Sequence, residues 1–102
     1  MTSLTPMKRI EILLEEGMVP MLAEMVAECG FSGHTVMPVL AGAGGRGGWR
    51  DERLTSSRKV MLLAIGPKED CDRLIAKIEP MLGDYRMLLT VGDVEVIRKD
   101  RF

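Results

Sequence analysis

Apolar and polar positions alternate along the first regular segment of the chain, KRIEILLEE. One side of the alternation carries Ile10, Ile12 and Leu14, and the other side carries Glu11, Leu13 and Glu15. A period of two residues is typical of a β-strand with one buried face. The segment therefore predicts a first strand with a thoroughly apolar face.

Two later segments have apolar residues at the three- and four-residue spacing of an amphipathic helix. Met18–Cys29 is the first, and Gly30 follows it where a glycine commonly ends a helix. The second, GPKEDCDRLIAKIEPML, opens with Gly-Pro, has acidic residues in its first turn and places Cys71, Leu74 and Ile78 on one face. We therefore predict a helix over each segment.

The remaining apolar segments predict further strands. HTVMPVLA contains Pro38, which favours an edge strand or a position near a bulge because proline cannot donate to a ladder. KVMLLAI is a short continuous apolar run, and MLLTV and DVEVIRK, separated by Gly92, predict one bent strand or two short ones. The order β-α-β-β-α-β predicts an α+β, ferredoxin-like sandwich, in which two helices cover one face of a four-stranded antiparallel sheet.

The strands also predict self-association. VMLLAI and MLLTV are apolar at both alternating positions, so one apolar sheet face stays open after the helices cover the other. A homo-oligomer would bury this face. The alternative is that Met and Leu are merely tolerated there.

Composition narrows the class of protein. The 102 residues are 46% hydrophobic and 28% charged, which is typical of one globular domain, and the net charge of -1 gives no general attraction to nucleic acid or anionic lipid. Cys29 and Cys71 lack CxxC spacing, and the single histidine, His34, stands at a turn. The two cysteines are therefore expected to be free thiols and not a disulfide or a metal-binding pair. The segment MTSLTPMKR precedes no apolar run of signal-peptide or membrane-spanning length, so we expect a cytoplasmic protein without membrane insertion.

The glycine-rich segment GAGGRGG and the charged WRDERLTSSRK after it hold the candidate chemistry. GAGGRGG contains GxGxxG, but a dinucleotide or P-loop site also needs a helix to open at the glycines, and WRDERLTSSRK lacks helical spacing. What remains is a flexible hairpin tip whose N–H groups can approach an anion, with forked donors on Arg46, Arg50, Arg53 and Arg58. A solvated loop is the alternative, and Trp49 either packs under an ordered loop, contacts a partner or is an incidental exposed aromatic.

Enzyme and RNA-binding functions are poorly supported. The sequence shows neither a Ser/His/Asp or Cys/His pairing nor metal-ligand spacing. RNA-binding domains of the same topology need aromatic residues on the central strands, and KVMLLAI has none. An acylphosphatase-like enzyme would need an anion cradle where this chain has EEGMVP. Of the functional classes considered, the sequence favours a ligand-binding module.

The chain resembles the PII-like signalling family from about Lys8 to Arg101. KRIEILLEE is similar to that family's opening strand, GHTV to the start of its second strand, LGDYR to its B-loop and VGDVEVIRK to its closing segment. The resemblance implies a homotrimer that binds adenine nucleotide in clefts between subunits. It also implies a single domain, residues 1–102, with an N-terminal tail over 1–6 and a mobile T-loop over 41–58 that reports ligand state to a transporter or enzyme.

Matching the family position by position implies a set of nucleotide-binding residues. These residues are Thr35, Gly42, Gly44, Gly83, Asp84, Arg86, Arg98 and Arg101. Arg101 is a substitute, because the second arginine of the family's closing segment falls at Asp100.

The loop distinguishes subtypes within the family. It lacks the glutamine of GRQKG and the tip tyrosine of the classical nitrogen sensors, and its compact RGGWRDER resembles the carboxysome-associated PII-like proteins, which bind ADP or AMP together with bicarbonate. The expected residues for bicarbonate binding and the loop switch are Gly45, Arg46, Gly47, Gly48, Trp49, Arg50 and Arg53. We therefore expect a non-catalytic regulator of an inorganic-carbon transporter or a carboxysome-linked process, with ATP as a further candidate ligand and no metal requirement. Alternatives are a regulator linked to nitrogen or metal transport, and a small phosphatase-like enzyme.

Overall fold

The computed structural model describes residues 3–44, 47–50 and 58–97. Within these ranges the regular elements are β1 (Thr5–Glu15), α1 (Val19–Glu28), β2 (Thr35–Pro38), β3 (Ala41–Gly44), β4 (Gly47–Arg50), β5 (Lys59–Gly66), α2 (Lys68–Ile78) and β6 (Leu88–Val96). Short 3-10 helices, Glu16–Met18 and Glu79–Met81, precede α1 and follow α2.

Four of the strands form an antiparallel sheet in the order β2-β5-β1-β6. This is the ferredoxin-like arrangement that the sequence predicts, with β2 at one edge. Pro38 fits at this edge because its nitrogen has no hydrogen bond to make with β5. The next residue, Val39, donates its N–H to the Lys59 carbonyl. The hydrogen-bonded pairs alternate from that bond, so the nitrogen of Pro38 points away from β5. The final apolar segments form one continuous strand through Gly92.

The core lies between one face of this sheet and the two helices. The alternation in β1 has the predicted outcome, because Ile10, Ile12 and Leu14 are fully buried. The residues that meet them from β5 and the helices are Val60, Leu62, Ala64, Leu22, Val26, Leu74 and Ile78. Both helices therefore pack on the same side of the sheet.

The end of α1 is fixed by its glycine, as predicted. Gly30 has φ +104°, the left-handed region that glycine adopts easily. Its N–H donates to the Ala27 carbonyl, and the N–H of Phe31 donates to the Val26 carbonyl. These two bonds are those of a Schellman motif, which satisfies carbonyls at a helix C-terminus.

A side-chain network joins this end of α1 to the first turn of α2. Arg73 pairs with the buried Asp70 carboxylate, and Arg73 Nη2 also donates to the Cys29 carbonyl at 3.2 Å. The Asp70 carboxylate lies directly over Gly30, where an added Cβ would be 3.0 Å from Asp70 Oδ2. The network therefore holds the two helices together and leaves no space for a side chain at Gly30.

One predicted boundary was wrong. Thr5 and Pro6, assigned to the N-terminal tail, belong to β1. Pro6 is tolerated because its nitrogen faces the β5 side, and β5 ends at Gly66 opposite Lys8. The glycine-rich segment is also more regular than a loop, since β3 and β4 pair as a two-stranded antiparallel sheet.

The second face of the four-stranded sheet is open and largely apolar, as the sequence predicts. Met37, Met61, Leu13 and Leu88 lie side by side across the four strands. Leu88 is 60% exposed. Whether another copy covers this face stays a prediction.

Candidate nucleotide-binding site

A groove of about 290 Å³ lies at the β2 edge of the sheet. It is lined by Ser32, Gly33, His34, Thr35, Leu63, Ala64 and Ile65. The first three residues precede β2, Thr35 is the first residue of β2, and the last three belong to the neighbouring strand β5. The groove exists because β2 is shorter than β5.

The backbone of β5 faces this groove with unused pairing capacity. The Lys59 carbonyl accepts from Val39, so Lys59 and every second residue after it direct their N–H and C=O groups towards β2. Ile65 is one of these residues, but β2 begins at Thr35, opposite Leu63. In the described part of the chain no strand residue lies opposite Ile65, so its donor and acceptor point into the groove. Such a pair of groups can bind the edge of a planar polar ring.

Thr35, which the resemblance implies as a nucleotide contact, lines this groove. It is exposed and lies in the wall of the groove, next to the exposed His34. Gly33 completes the wall, and nothing lies within 4 Å of the Cβ position that a larger residue would occupy there. The groove therefore combines an apolar floor with two hydroxyl residues, Ser32 and Thr35, one histidine and backbone polar groups.

The β3–β4 hairpin brings together several residues from the two predicted sets. Gly42 lies opposite Trp49 in its register, and Gly44 lies opposite Gly47. Gly48 and Arg50 are further backbone positions of β4. The predicted nucleotide contact Gly42 and the predicted switch residue Trp49 are thus direct cross-strand neighbours.

Gly83, Asp84 and Arg86 form a second predicted group in the exposed turn between α2 and β6. The N–H of Asp84 donates to the Met81 carbonyl at 3.0 Å, which continues the turn begun by Glu79–Met81. At Gly83, no atom lies within 4 Å of the position that a Cβ would occupy. The turn leads Arg86 to the start of β6 as an exposed side chain.

The two groups lie at opposite edges of the sheet. Thr35 and the groove are on β2, whereas the turn holding Arg86 leads into β6. The two edge strands are separated by three strand spacings, roughly 14 Å. A single copy of the chain therefore does not bring Thr35 and Arg86 to one compact ligand.

Several predicted residues lie outside the described ranges. These are Gly45, Arg46, Arg53, Arg98 and Arg101. Their roles stay predictions.

The structure adds site residues that sequence reasoning missed. Ser32, Leu63, Ala64 and Ile65 line the groove, but KVMLLAI has the pattern of an ordinary buried strand. The signal for a site is the mismatch in length between β2 and β5, which depends on where the pairing stops.

The described ranges contain two free cysteines and no cluster of metal ligands. Cys29 and Cys71 are free and buried there, as predicted. No group of three or more His, Cys, Asp or Glu residues among the described positions could hold a metal ion. Neither described helix has the length and hydrophobicity needed to span a bilayer.

Comparison with known proteins decides the family. The family model described as nitrogen regulatory protein P-II matches residues 7–101. The chain belongs to the PII family. No curated protein sequence matches this PII chain at a significant level.

Solved structures have the same fold as this PII chain. One is CPII, a nitrogen regulatory PII-like protein from Thiomonas intermedia K12, bound to ADP, AMP and bicarbonate. It has 24% sequence identity and a TM-score of 0.91, covering 100% of this chain and 98% of that chain. CPII bound to ADP, AMP and acetate has 25% identity, a TM-score of 0.81 and coverage of 98% and 97%. A PII-like signaling protein from Thermus thermophilus has 21% identity, a TM-score of 0.78 and coverage of 98% of each chain.

Proposed function

We propose that this PII chain is a non-catalytic regulator that binds ADP or AMP in clefts between the copies of a homotrimer. The observation that carries this proposal is the separation of the candidate residues onto the two edges of the sheet. In a closed ring of copies, the β2 edge of one copy can approach the β6 edge of the next. Each cleft then combines the groove of one copy with the turn of its neighbour.

The chemistry of the two edges suits the two ends of a nucleotide. The groove offers apolar walls, Thr35 and the backbone groups of Ile65, which suit an adenine ring. Arg86 is an exposed forked donor, which suits phosphate, and the turn places it at the other edge. ATP is a weaker candidate than ADP or AMP, because the solved relative CPII holds ADP and AMP.

Bicarbonate is the second ligand in this proposal. The related CPII is bound to ADP, AMP and bicarbonate in one structure and to ADP, AMP and acetate in another, and bicarbonate and acetate are both small planar oxyanions. In this chain Arg46, Arg50 and Arg53 would supply the positive charge, and glycine N–H groups would complete the anion site.

The T-loop, residues 41–58, would transmit ligand state to a partner. We propose that nucleotide and bicarbonate together order this loop by stabilising the paired β3–β4 conformation, and that this ordered form contacts a membrane transporter for inorganic carbon or another carboxysome-linked protein. The paired β3 and β4 strands support this, because they give the loop a base from which residues further along can be positioned.

Calorimetric titration tests the ligand assignment. AMP, ADP, ATP and cyclic AMP are titrated separately, each with and without bicarbonate and with and without 2-oxoglutarate. We expect ADP or AMP to bind, bicarbonate to tighten that binding, and 2-oxoglutarate to have no effect. Coupling to 2-oxoglutarate instead would favour a nitrogen-linked regulator, and steady release of phosphate would favour the phosphatase-like enzyme.

A further inference from the structure

A single side chain links the two sides of the groove at the β2 edge. Phe31 is buried, and it directly precedes Ser32, the first residue of the groove wall that leads into β2. Its ring also lies against Gly66, where an added Cβ would be 2.9 Å from Cδ2 and Cε2 of Phe31. Gly66 directly follows Ile65, which belongs to the β5 side of the groove. Phe31 is therefore joined to one side of the groove through the chain and to the other side through its ring.

The backbone that carries Phe31 is held by contacts with both helices. The N–H of Phe31 donates to the Val26 carbonyl of α1. Arg73 of α2 donates to the Cys29 carbonyl from Nε at 3.3 Å and from Nη2 at 3.2 Å. The Asp70 carboxylate pairs with Arg73 and packs against the glycine that precedes Phe31. Because these contacts fix the end of α1, a displacement of the Phe31 ring is passed on to the groove.

The contact between Phe31 and Gly66 leaves no room for a larger residue at position 66. Non-bonded carbon atoms are most favourably about 3.5–4.0 Å apart, so a methyl group at Gly66 would force the ring or the end of β5 to shift. Either shift changes the distance between Thr35 and the backbone groups of Ile65. The width of the groove therefore depends on this contact.

We propose that Phe31, through its contact with Gly66, sets the width of the groove and is a positioning residue for the nucleotide. This inference rests on the proposed function, which places the adenine ring in the groove. Phe31 does not line the groove itself, so it acts through Thr35 and Ile65. Its effect concerns the ring end of the ligand, which AMP and ADP share.

A pair of substitutions tests this role. Gly66→Ala displaces the Phe31 ring, and the loss of one hydrogen bond to the nucleotide should weaken binding by roughly threefold to tenfold. The factor should be the same for AMP and ADP. Phe31→Leu removes the outer atoms of the ring, so it relieves the clash. The double variant Phe31→Leu/Gly66→Ala should therefore lose less affinity than the product of the two single losses, as calorimetric titration measures.

Two control substitutions separate positioning from a general loss of stability. Gly17→Ala adds a methyl group where no atom lies within 4 Å. Ile78→Val removes a methyl group from a fully buried side chain at the other end of α2, so it lowers stability at a distance from the groove. Both controls should bind ADP like the wild type. Circular dichroism and urea denaturation identify conditions in which every variant is folded, and the titrations are done there.

The outcomes separate this inference from the proposed function. The positioning role is overturned if Gly66→Ala binds like the wild type, if the two single losses multiply in the double variant, or if Ile78→Val loses as much affinity as Gly66→Ala. In each of these cases ADP binding by the wild type still stands. A wild type that binds neither AMP nor ADP overturns the proposed function and the positioning role together.

Discussion

At the scale of single residues, a substitution of Arg86 should weaken nucleotide binding without affecting folding. Its side chain is exposed at the end of a turn whose geometry is held by backbone hydrogen bonds to Met81. Charge-assisted hydrogen bonds to phosphate contribute about 1.5–3 kcal/mol. We expect Arg86→Ala to weaken ADP binding by roughly tenfold to a hundredfold, with the free energy of unfolding almost unchanged. Calorimetry and urea denaturation measure the two quantities.

Arg98 is expected to behave like Arg86, and Lys77 provides a control. Lys77 is an exposed cation on α2, 3.5 Å from Glu28, and belongs to no predicted ligand set. Lys77→Ala should leave ADP affinity unchanged. If Arg86→Ala and Arg98→Ala both bind ADP as tightly as Lys77→Ala does, their assignment from the family is wrong.

The Cys71 thiol should make the free energy of unfolding depend on pH. Burial, and then the nearby Asp72 carboxylate, raises the pKa of the Cys71 thiol. The unfolded chain therefore loses this proton first as the pH rises above about 8.5. The protonated Cys71 thiol therefore makes its full contribution to the free energy of unfolding below that pH. This contribution is lost as the pH rises towards the folded-state pKa, and the free energy of unfolding falls by at most about 1.4 kcal/mol per pH unit.

Urea denaturation from pH 7 to pH 10 checks this expectation. The free energy of unfolding should fall more steeply for the wild type than for Cys71→Ala, whatever the stability of the variant at pH 7. Parallel slopes for the two proteins would show that Cys71 does not contribute to the pH dependence.

At the scale of elements, the junction of α1 and α2 depends on the missing side chain of Gly30. Alanine there would adopt a left-handed conformation at a cost of about 1–2 kcal/mol and would press on the Asp70 carboxylate. We expect Gly30→Ala to destabilise the protein by at least that amount. Gly17→Ala is the control, because no atom lies within 4 Å of its Cβ position. Equal unfolding free energies for the two variants would contradict the expectation.

The elements also show what the sequence could predict. Ile10, Ile12 and Leu14 have the period of a strand because one face is buried, and Gly30 ends a helix because of its backbone freedom. The pairing of β3 with β4 was missed, because glycine has low strand propensity and this hairpin is held by backbone bonds that leave no side-chain pattern.

At the scale of the whole molecule, the candidate site was only half predictable. Resemblance indicated Thr35 and Arg86, whose chemistry is visible in the sequence. The groove at Ile65 was not predictable, because it depends on β2 ending before β5 does. The separation of Thr35 from Arg86 also follows from strand order, which is a property of the fold and of no local segment.

The proposed coupling of two ligands through the T-loop would also be a property of the whole molecule. GAGGRGG has five glycines in seven residues, and ordering each residue costs about 1–2 kcal/mol. One weak anion contact cannot offset that cost. Nucleotide phosphate at Gly42 and a small anion among the arginines could do so together, and Trp49 lies opposite Gly42 in the hairpin register.

We therefore expect ADP and bicarbonate to tighten each other's binding by the same factor, because linkage between two sites is reciprocal. Trp49 is the single tryptophan of the chain, so its fluorescence reports on this hairpin. Bicarbonate is titrated at constant pH and ionic strength, with and without saturating ADP, and chloride replaces bicarbonate in the control. The emission should change at a lower bicarbonate concentration when ADP is present. An emission that does not respond, or an ADP affinity that bicarbonate leaves unchanged, refutes the two-ligand switch and leaves nucleotide binding standing.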